Sequence, residues 1–223
     1  MSKINKNPDR HNFSLLLLAI IFLVCIMAIL PWINIDTQKK LIIEGGLFES
    51  LTVYGYIFCL ILIFVSWPWQ KILSKWYFSA LIILFALREL DYDKAHFTHG
   101  VLKSKQYFSD IVGISELIIS IIVLIFILVV LASIVLRERE RFFKGIKDFK
   151  QTQLAVLTSI FLVIITKTID GLKRKLEGFG IDIPNTIEHY AMTVEEIGEM
   201  GIPIMFAIAI LSCRKKTKPL NFN

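Results

Sequence analysis

The sequence predicts an all-α integral membrane protein, a polytopic bundle of about six transmembrane helices with both termini in the cytoplasm, and three observations carry that expectation. Hydrophobic residues make up 55% of the 223 positions and mean hydropathy is +0.65, against ~45–50% apolar residues in soluble domains. These residues fall in long runs without strand-type alternation, and a run of ~20 helical residues crosses a ~30 Å hydrocarbon core. Backbone polar groups find no water there, so helices or closed barrels are the only spanning structures, and the runs exclude the barrel. The third observation is that Lys and Arg collect in alternate connecting segments.

Taken in order, the first span covers about 13–31. Lys3, Lys6 and Arg10 precede it as they would a signal peptide. The apolar run is long for one and has no Ala-x-Ala cleavage site, so it reads as retained. The second span, about 47–65, is closed by Trp67 and Trp69 around Pro68. The third covers about 76–90, and the fourth, 111–136, is the longest and most apolar. The stretch after it, 137–150, reads RERERFFKGIKDFK. Its alternating charge and paired Phe142 and Phe143 predict an amphipathic cytoplasmic helix lying on the membrane surface. The fifth and sixth spans are about 154–169 and 194–213. No Pro- or Ser-rich linker divides the chain, so residues 1–223 are expected to form a single transmembrane domain.

Orientation follows from the basic residues. Fifteen of the 25 Lys and Arg fall on one side: Lys3, Lys6, Arg10, Lys71, Lys75, six within 137–150, and Arg214, Lys215, Lys216 and Lys218. Fifteen of the 19 acids fall on the other. The basic excess behind the pI near 9.2 therefore sets orientation and meets anionic lipid; no basic–aromatic interleaving points to nucleic acid. Compactness and Lys-, Ile- and Asn-rich usage point to a bacterial inner (plasma) membrane. Cys25, Cys59 and Cys213 sit in or beside apolar runs without ligand spacing, so neither a zinc knuckle nor a disulfide framework is indicated.

The unusual residues are charges at membrane depth. At ~1.5 Å per helical residue, Arg88 lies ~20 Å beyond Lys75, and Glu199 lies ~22 Å back from Arg214. Glu49, Glu116, Lys167, Asp170 and Glu196 fall near the outer margin. An ionised group in hydrocarbon costs ~2.5–3.5 kcal/mol on insertion scales and normally faces a bundle interior with a partner. The expectation is a polar funnel at the outward end, with Glu49, Arg88, Glu116, Lys167, Asp170 and Glu196 as a buried charge network. Arg88 would pair with Glu199 or Glu49, and Lys167 with Glu116 or Glu196. The carboxylates outnumber the basic groups at similar depth, so protons, water, Lys173 to Lys175 or a bound cation must meet the excess.

The stretch from Leu87 to Gly100, LRELDYDKAHFTHG, is the most site-like. Were span three to continue as a helix, Glu89, Asp93 and His96 would share one face. An Asp-x-x-His pointing into a bundle, joined by Glu195 and Glu199 from across it, resembles carboxylate-bridged metal sites, and its mixed nitrogen and oxygen donors suit a divalent metal such as zinc, manganese or iron. A weak echo links the hairpins: spans two and four begin with Glu49 and Glu116, and spans three and five end in Arg88-x-x-Asp91 and Lys167-x-x-Asp170, as transporter repeats do. Walker A, Gly-x-Ser-x-Gly, His-Glu-x-x-His and Cys-x-x-Cys motifs are absent. Ceramidase-like and adiponectin-receptor-like membrane hydrolases also place Asp and His in helical bundles, but with seven spans and a late His-x-x-x-His pair. This chain has His189 alone, so their zinc ligands do not transfer.

Three functional expectations remain. The first is a cation-binding or cation/proton-coupled small transporter. The second is a metal-dependent membrane enzyme acting on a lipid or other membrane substrate. The third is a non-catalytic assembly or sensory subunit. Membrane lipids and a small cation are the expected partners.

Overall fold

A computed structural model of the chain describes residues 13–33, 35–42 and 46–213. Among the described residues all regular structure is helical, with no strand. The helices are α1 (Phe13–Ile29), α2 (Ile35–Ile42), α3 (Leu47–Ser66), α4 (Trp69–Ser74), α5 (Trp76–Glu89) and α6 (Tyr92–His96). They continue as α7 (Lys105–Phe108), α8 (Ile114–Lys147), α9 (Gln151–Ile169), α10 (Leu172–Glu177) and α11 (Asn185–Ser212). Lys3, Lys6, Arg10 and the basic tail from Arg214 to Lys218 lie outside the described residues.

Three helices, α3, α8 and α9, are long and apolar enough to cross a membrane. Large apolar side chains of α8, among them Ile118, Ile122 and Ile125, stand exposed along its length, the arrangement of a lipid-facing helix rather than a soluble one. α1, with 17 residues, and α5, with 14, are shorter than the ~20 residues that crossing a bilayer usually needs. α11 has 28 residues, but glutamates interrupt its apolar character.

Local chemistry sets the breaks. Trp67, extended at φ −112°, ψ 138°, takes the conformation forced on a residue before proline, and Pro68 then caps α4. α5 does not continue through the LRELDYDKAHFTHG stretch. Asp91 turns left-handed at φ 48°, a conformation that Asp tolerates better than most side chains, and α6 starts in a new direction. The fourth span begins at Ile114 rather than 111. It continues unbroken to Lys147, so the 137–150 stretch is not a separate surface helix: most of it extends α8. The sixth helix begins at Asn185, nine residues before the expected 194, because Pro184 caps its polar first turns.

α11 is the central helix, packed chiefly against α9 and α3 and also against α1; α5 bridges α3 to α8, and α8 rests on α5 and α9. Small residues let α11 approach its neighbours closely. A Cβ on Gly198 would lie 2.5 Å from Thr166 Cγ2, one on Gly201 would lie 2.9 Å from Leu162 and Leu23, and one on Gly55 would lie 2.9 Å from Pro203.

Hydrogen bonds show that successive long helices alternate in direction. At one end Lys71 donates to the Cys213 carbonyl at 3.4 Å, Lys75 pairs with Glu138 and Cys213 meets Thr152. This Lys71 end gathers the C-termini of α3 and α11, the N-termini of α5 and α9, and the C-terminal half of α8. At the other end Arg88 reaches Glu199, and Gln38 joins the Leu30 carbonyl to His189. This Glu199 end holds the opposite termini, that of α1 at Leu30 included.

Candidate functional site: a buried glutamate shared by an arginine and a lysine

Glu199 is the only charged side chain classed as fully buried among the described residues, at 8% exposure. It sits one turn before Pro203 on α11, beside the close contact of Gly198 with Thr166 of α9. Its Oε1 accepts a hydrogen bond from Arg88 Nη2 of α5 at 3.0 Å and lies 3.4 Å from Lys167 Nζ of α9. Three helices therefore meet on one carboxylate oxygen. Lys167 also donates to Asp170 Oδ2 at 3.1 Å, and Lys175 ties back to the Lys167 and Thr168 carbonyls.

Further acids surround this bridge. Glu89 is within electrostatic reach of Glu199, Arg88, Glu49 and Lys167. Glu196 faces Glu199, Glu89, Glu195 and Glu49, while Glu195 faces Asp170, Glu199, Lys167 and Arg88. Six carboxylates from α3, α5, α9–α10 and α11 thus share a site with Arg88, Lys167 and the nearby Lys175. Outside the spans, burial works against the charge on Asp170, but the Lys167 hydrogen bond and charge outweigh it and hold its carboxyl below the ordinary aspartate range.

Pro203 adds a main-chain oxygen. It has no N–H, so the carbonyl of Glu199, four residues earlier, loses its helical donor. The Pro203 carbonyl accepts from the Cys59 thiol at 3.2 Å. Tyr56, 1% exposed, completes the apolar side of the site on α3, stacked at 5.8 Å on Phe85 and electrostatically coupled to Glu89, Glu199 and Arg88. The sequence reading missed Tyr56. Its seven-residue spacing from Glu49 puts both on one helix face and was the available signal.

Other expected members lie elsewhere. Glu116, at the start of α8, accepts from the Thr98 backbone N–H at 2.6 Å, the Thr98 hydroxyl at 3.1 Å and Gln106 Nε2 at 2.7 Å. It anchors the 97–113 loop and does not pair with Lys167. Asp93 accepts from the Val101 backbone N–H at 2.7 Å. His96 stacks on Tyr92, ring centroids 3.9 Å apart, with Nδ1 at 3.0 Å from the Tyr92 carbonyl oxygen. The left-handed Asp91 removes the continuous helix that would have aligned Glu89, Asp93 and His96. Among the described residues no group of three or more His, Cys, Asp and Glu side chains is arranged to hold a metal ion, so the set Glu89, Asp93, His96, Glu195 and Glu199 is not assembled as a ligand shell for zinc, manganese or iron. The echo between the two hairpins also diverges. Lys167 pairs with its own Asp170, but Asp91 pairs with Lys94 at 3.0 Å, and what Arg88 and Lys167 share is their common target, Glu199.

No family model, curated protein or solved structure matches the chain.

Proposed function

We propose that the protein is a cation-binding or proton-coupled small transporter of a bacterial inner membrane, in which α1, α3, α5, α8, α9 and α11 all cross the bilayer and both chain ends face the cytoplasm. The alternating helix directions and the basic residues at the Lys71 end support that orientation. The acid cluster then lies toward the outer face. One observation carries the functional reading: Glu199 is buried and held by cations from two other helices, while Glu49, Glu89, Glu195 and Glu196 crowd around the same point. Close carboxylates do not all keep their charge without compensation, and in a bilayer the compensating species is a proton or a bound cation. The donors here are carboxylate oxygens. Oxygen donors favour protons and hard cations over metals that seek imidazole or thiolate. A cation arriving among Glu89, Glu196 and Glu199 competes with Arg88 and Lys167 for Glu199, and so acts on the packing of α5 and α9 against α11.

The test is thermal stability of the purified protein in lipid, titrated with protons, sodium, potassium, magnesium and calcium, for the parent chain and for a Glu89→Gln, Glu196→Gln variant. The parent is expected to gain stability from at least one of these species and the variant to lose that response. Identical responses in the two proteins overturn the reading.

One observation favours a second reading. Glu199 is already bridged by two bases, as in an ion network that only fixes helix register in a non-catalytic subunit. In that case replacing Arg88, Lys167 and Glu199 together by Met, Leu and Leu preserves both folding and any cation response.

A further inference from the structure

The Lys71 half of the bundle contains a feature unrelated to the acid cluster. A cavity of about 370 Å³ lies between α5, α8 and α9, with α3 and α11 behind it. Phe85, Leu131, Ile134, Val163 and Phe206 line it, and its polar wall atoms are few. Ser159, one of them, donates to the Val156 carbonyl of its own helix at 2.7 Å. Trp67, another lining residue, is only 8% exposed, and its indole Nε1–H is buried with no hydrogen-bond partner. The ring of Trp67 carries the Lys71 ammonium 3.8 Å from its centroid. Lys75 and Arg141 flank the same end on Glu138, and Arg137 lies over the Tyr77 ring.

An apolar slot beside a lipid-facing helix, with a group of cations at a single end, has the polarity of a lipid molecule. We propose that it holds one acyl chain of an anionic glycerophospholipid, with the glycerol end near Trp67 and the phosphate beside Lys71. The volume accommodates on the order of a dozen methylenes, if each takes about the ~30 Å³ of a liquid water. It also falls within the ~300–1,000 Å³ of typical ligand pockets. The cations supply the preference for an anionic headgroup. The inference needs the chain to reside in a membrane but not the transport reading, since none of its residues belongs to the acid cluster.

Native mass spectrometry of the full chain, released from bilayers of mixed phosphatidylglycerol and phosphatidylcholine, tests it. The parent is expected to retain one phosphatidylglycerol. Lys71→Gln should erase the headgroup preference while a lipid is still held. Ser159→Leu should fill the slot and abolish retention, with helicity and monodispersity unchanged; if it does not fold, Leu131→Phe fills the same space from α8. Equal retention of the two lipids by the parent overturns the headgroup assignment. Undiminished retention in the slot-filling variants overturns the site.

Discussion

The two ends of this bundle solve the problem of an embedded polar group in opposite ways. At the Glu199 end, charge is concentrated: one buried carboxylate is shared by Arg88 and Lys167, and four glutamates gather around it. At the Lys71 end a single acid, Glu138, is nearly as enclosed, with 15% of its side chain exposed against 11% for Glu199, but there the bases are in excess: Lys75, Arg141 and the Tyr77 hydroxyl converge on it, and the interior behind them is hydrocarbon. The same helices build both ends, so helix packing alone does not explain the difference. The lesson is that the two ends differ in balance: acids outnumber bases around Glu199, whereas bases outnumber acids around Glu138.

The largest expected effect breaks that comparison directly. Arg88→Met leaves Glu199 buried with Lys167 alone and should cost ~2 kcal/mol, below the ~3–5 kcal/mol for breaking a fully buried pair because the Arg88 side chain is 37% exposed, as measured by thermal unfolding in detergent. A loss under 0.5 kcal/mol, on the order of an exposed pair, would place the two ends on the same footing. Next, Gly198→Ala should cost ~1–3 kcal/mol by overpacking against Thr166 Cγ2, and Thr166→Ser, which removes that methyl and keeps the hydroxyl, should recover most of it. Additive losses in this pair would show that the α9–α11 approach does not depend on Gly198. At the other end Tyr77→Phe should cost ~1.5 kcal/mol, the lower end for a hydrogen bond to a charged group such as Glu138, leaving the headgroup region otherwise intact.

The smallest effects concern pH. Lys173 bonds Glu188 at 3.2 Å, and that hydrogen bond and charge hold its ammonium above the ordinary lysine range. Its contribution is fully present below the unfolded value of ~10.4 and fades as pH rises through the raised folded value. Asp170, held low, behaves in reverse: its contribution is present above the unfolded value of ~3.9 and fades as pH falls through the depressed folded value. Both pairs are therefore constant from about pH 5 to 9. A stability transition in that window, read by melting at stepped pH, belongs to other groups. If Glu89→Gln, Glu196→Gln removes it, the transition marks the acid cluster, and the contrast between the ends is sharpened.

Much of the Glu199 end was legible in the sequence, because a charge inside an apolar run has to find a partner and few partners lie at its depth. Of the two partners expected for Arg88, Glu199 and Glu49, the structure pairs it with Glu199; Lys167 meets neither Glu116 nor Glu196, the partners expected for it, but Glu199 and Asp170. Glu116 was misplaced because its partners, Thr98 in a loop and Gln106 in the single turn of α7, belong to a segment whose folding back on α8 leaves no periodic signal. The break after Glu89 carries neither Gly nor Pro; it rests on a left-handed Asp, and propensity alone reads through it. RERERFFKGIK suits a surface helix or a continuing rod equally well, and only its connection to α8 decides between them. The start of α11 was hidden for a similar reason: residues 185–193 are helical but polar, and a search for apolar runs begins too late. The slot at the Lys71 end had no signature, since every residue lining it reads as ordinary core.

The unbroken course of α8 has a mechanical consequence. From Glu116 to Arg137 its charged residues are separated by ~32 Å of helix at 1.5 Å per residue, close to the ~30 Å thickness of a hydrocarbon core, and another ten residues continue as a rigid rod past that boundary. A thinner membrane must be met by leaning or by exposing greasy surface. α8 is braced mainly by α5 and α9, with the short α7 at its start, so changes in bilayer thickness should register in the angle of α8, and through Glu138 and Lys75 in the seat of α5.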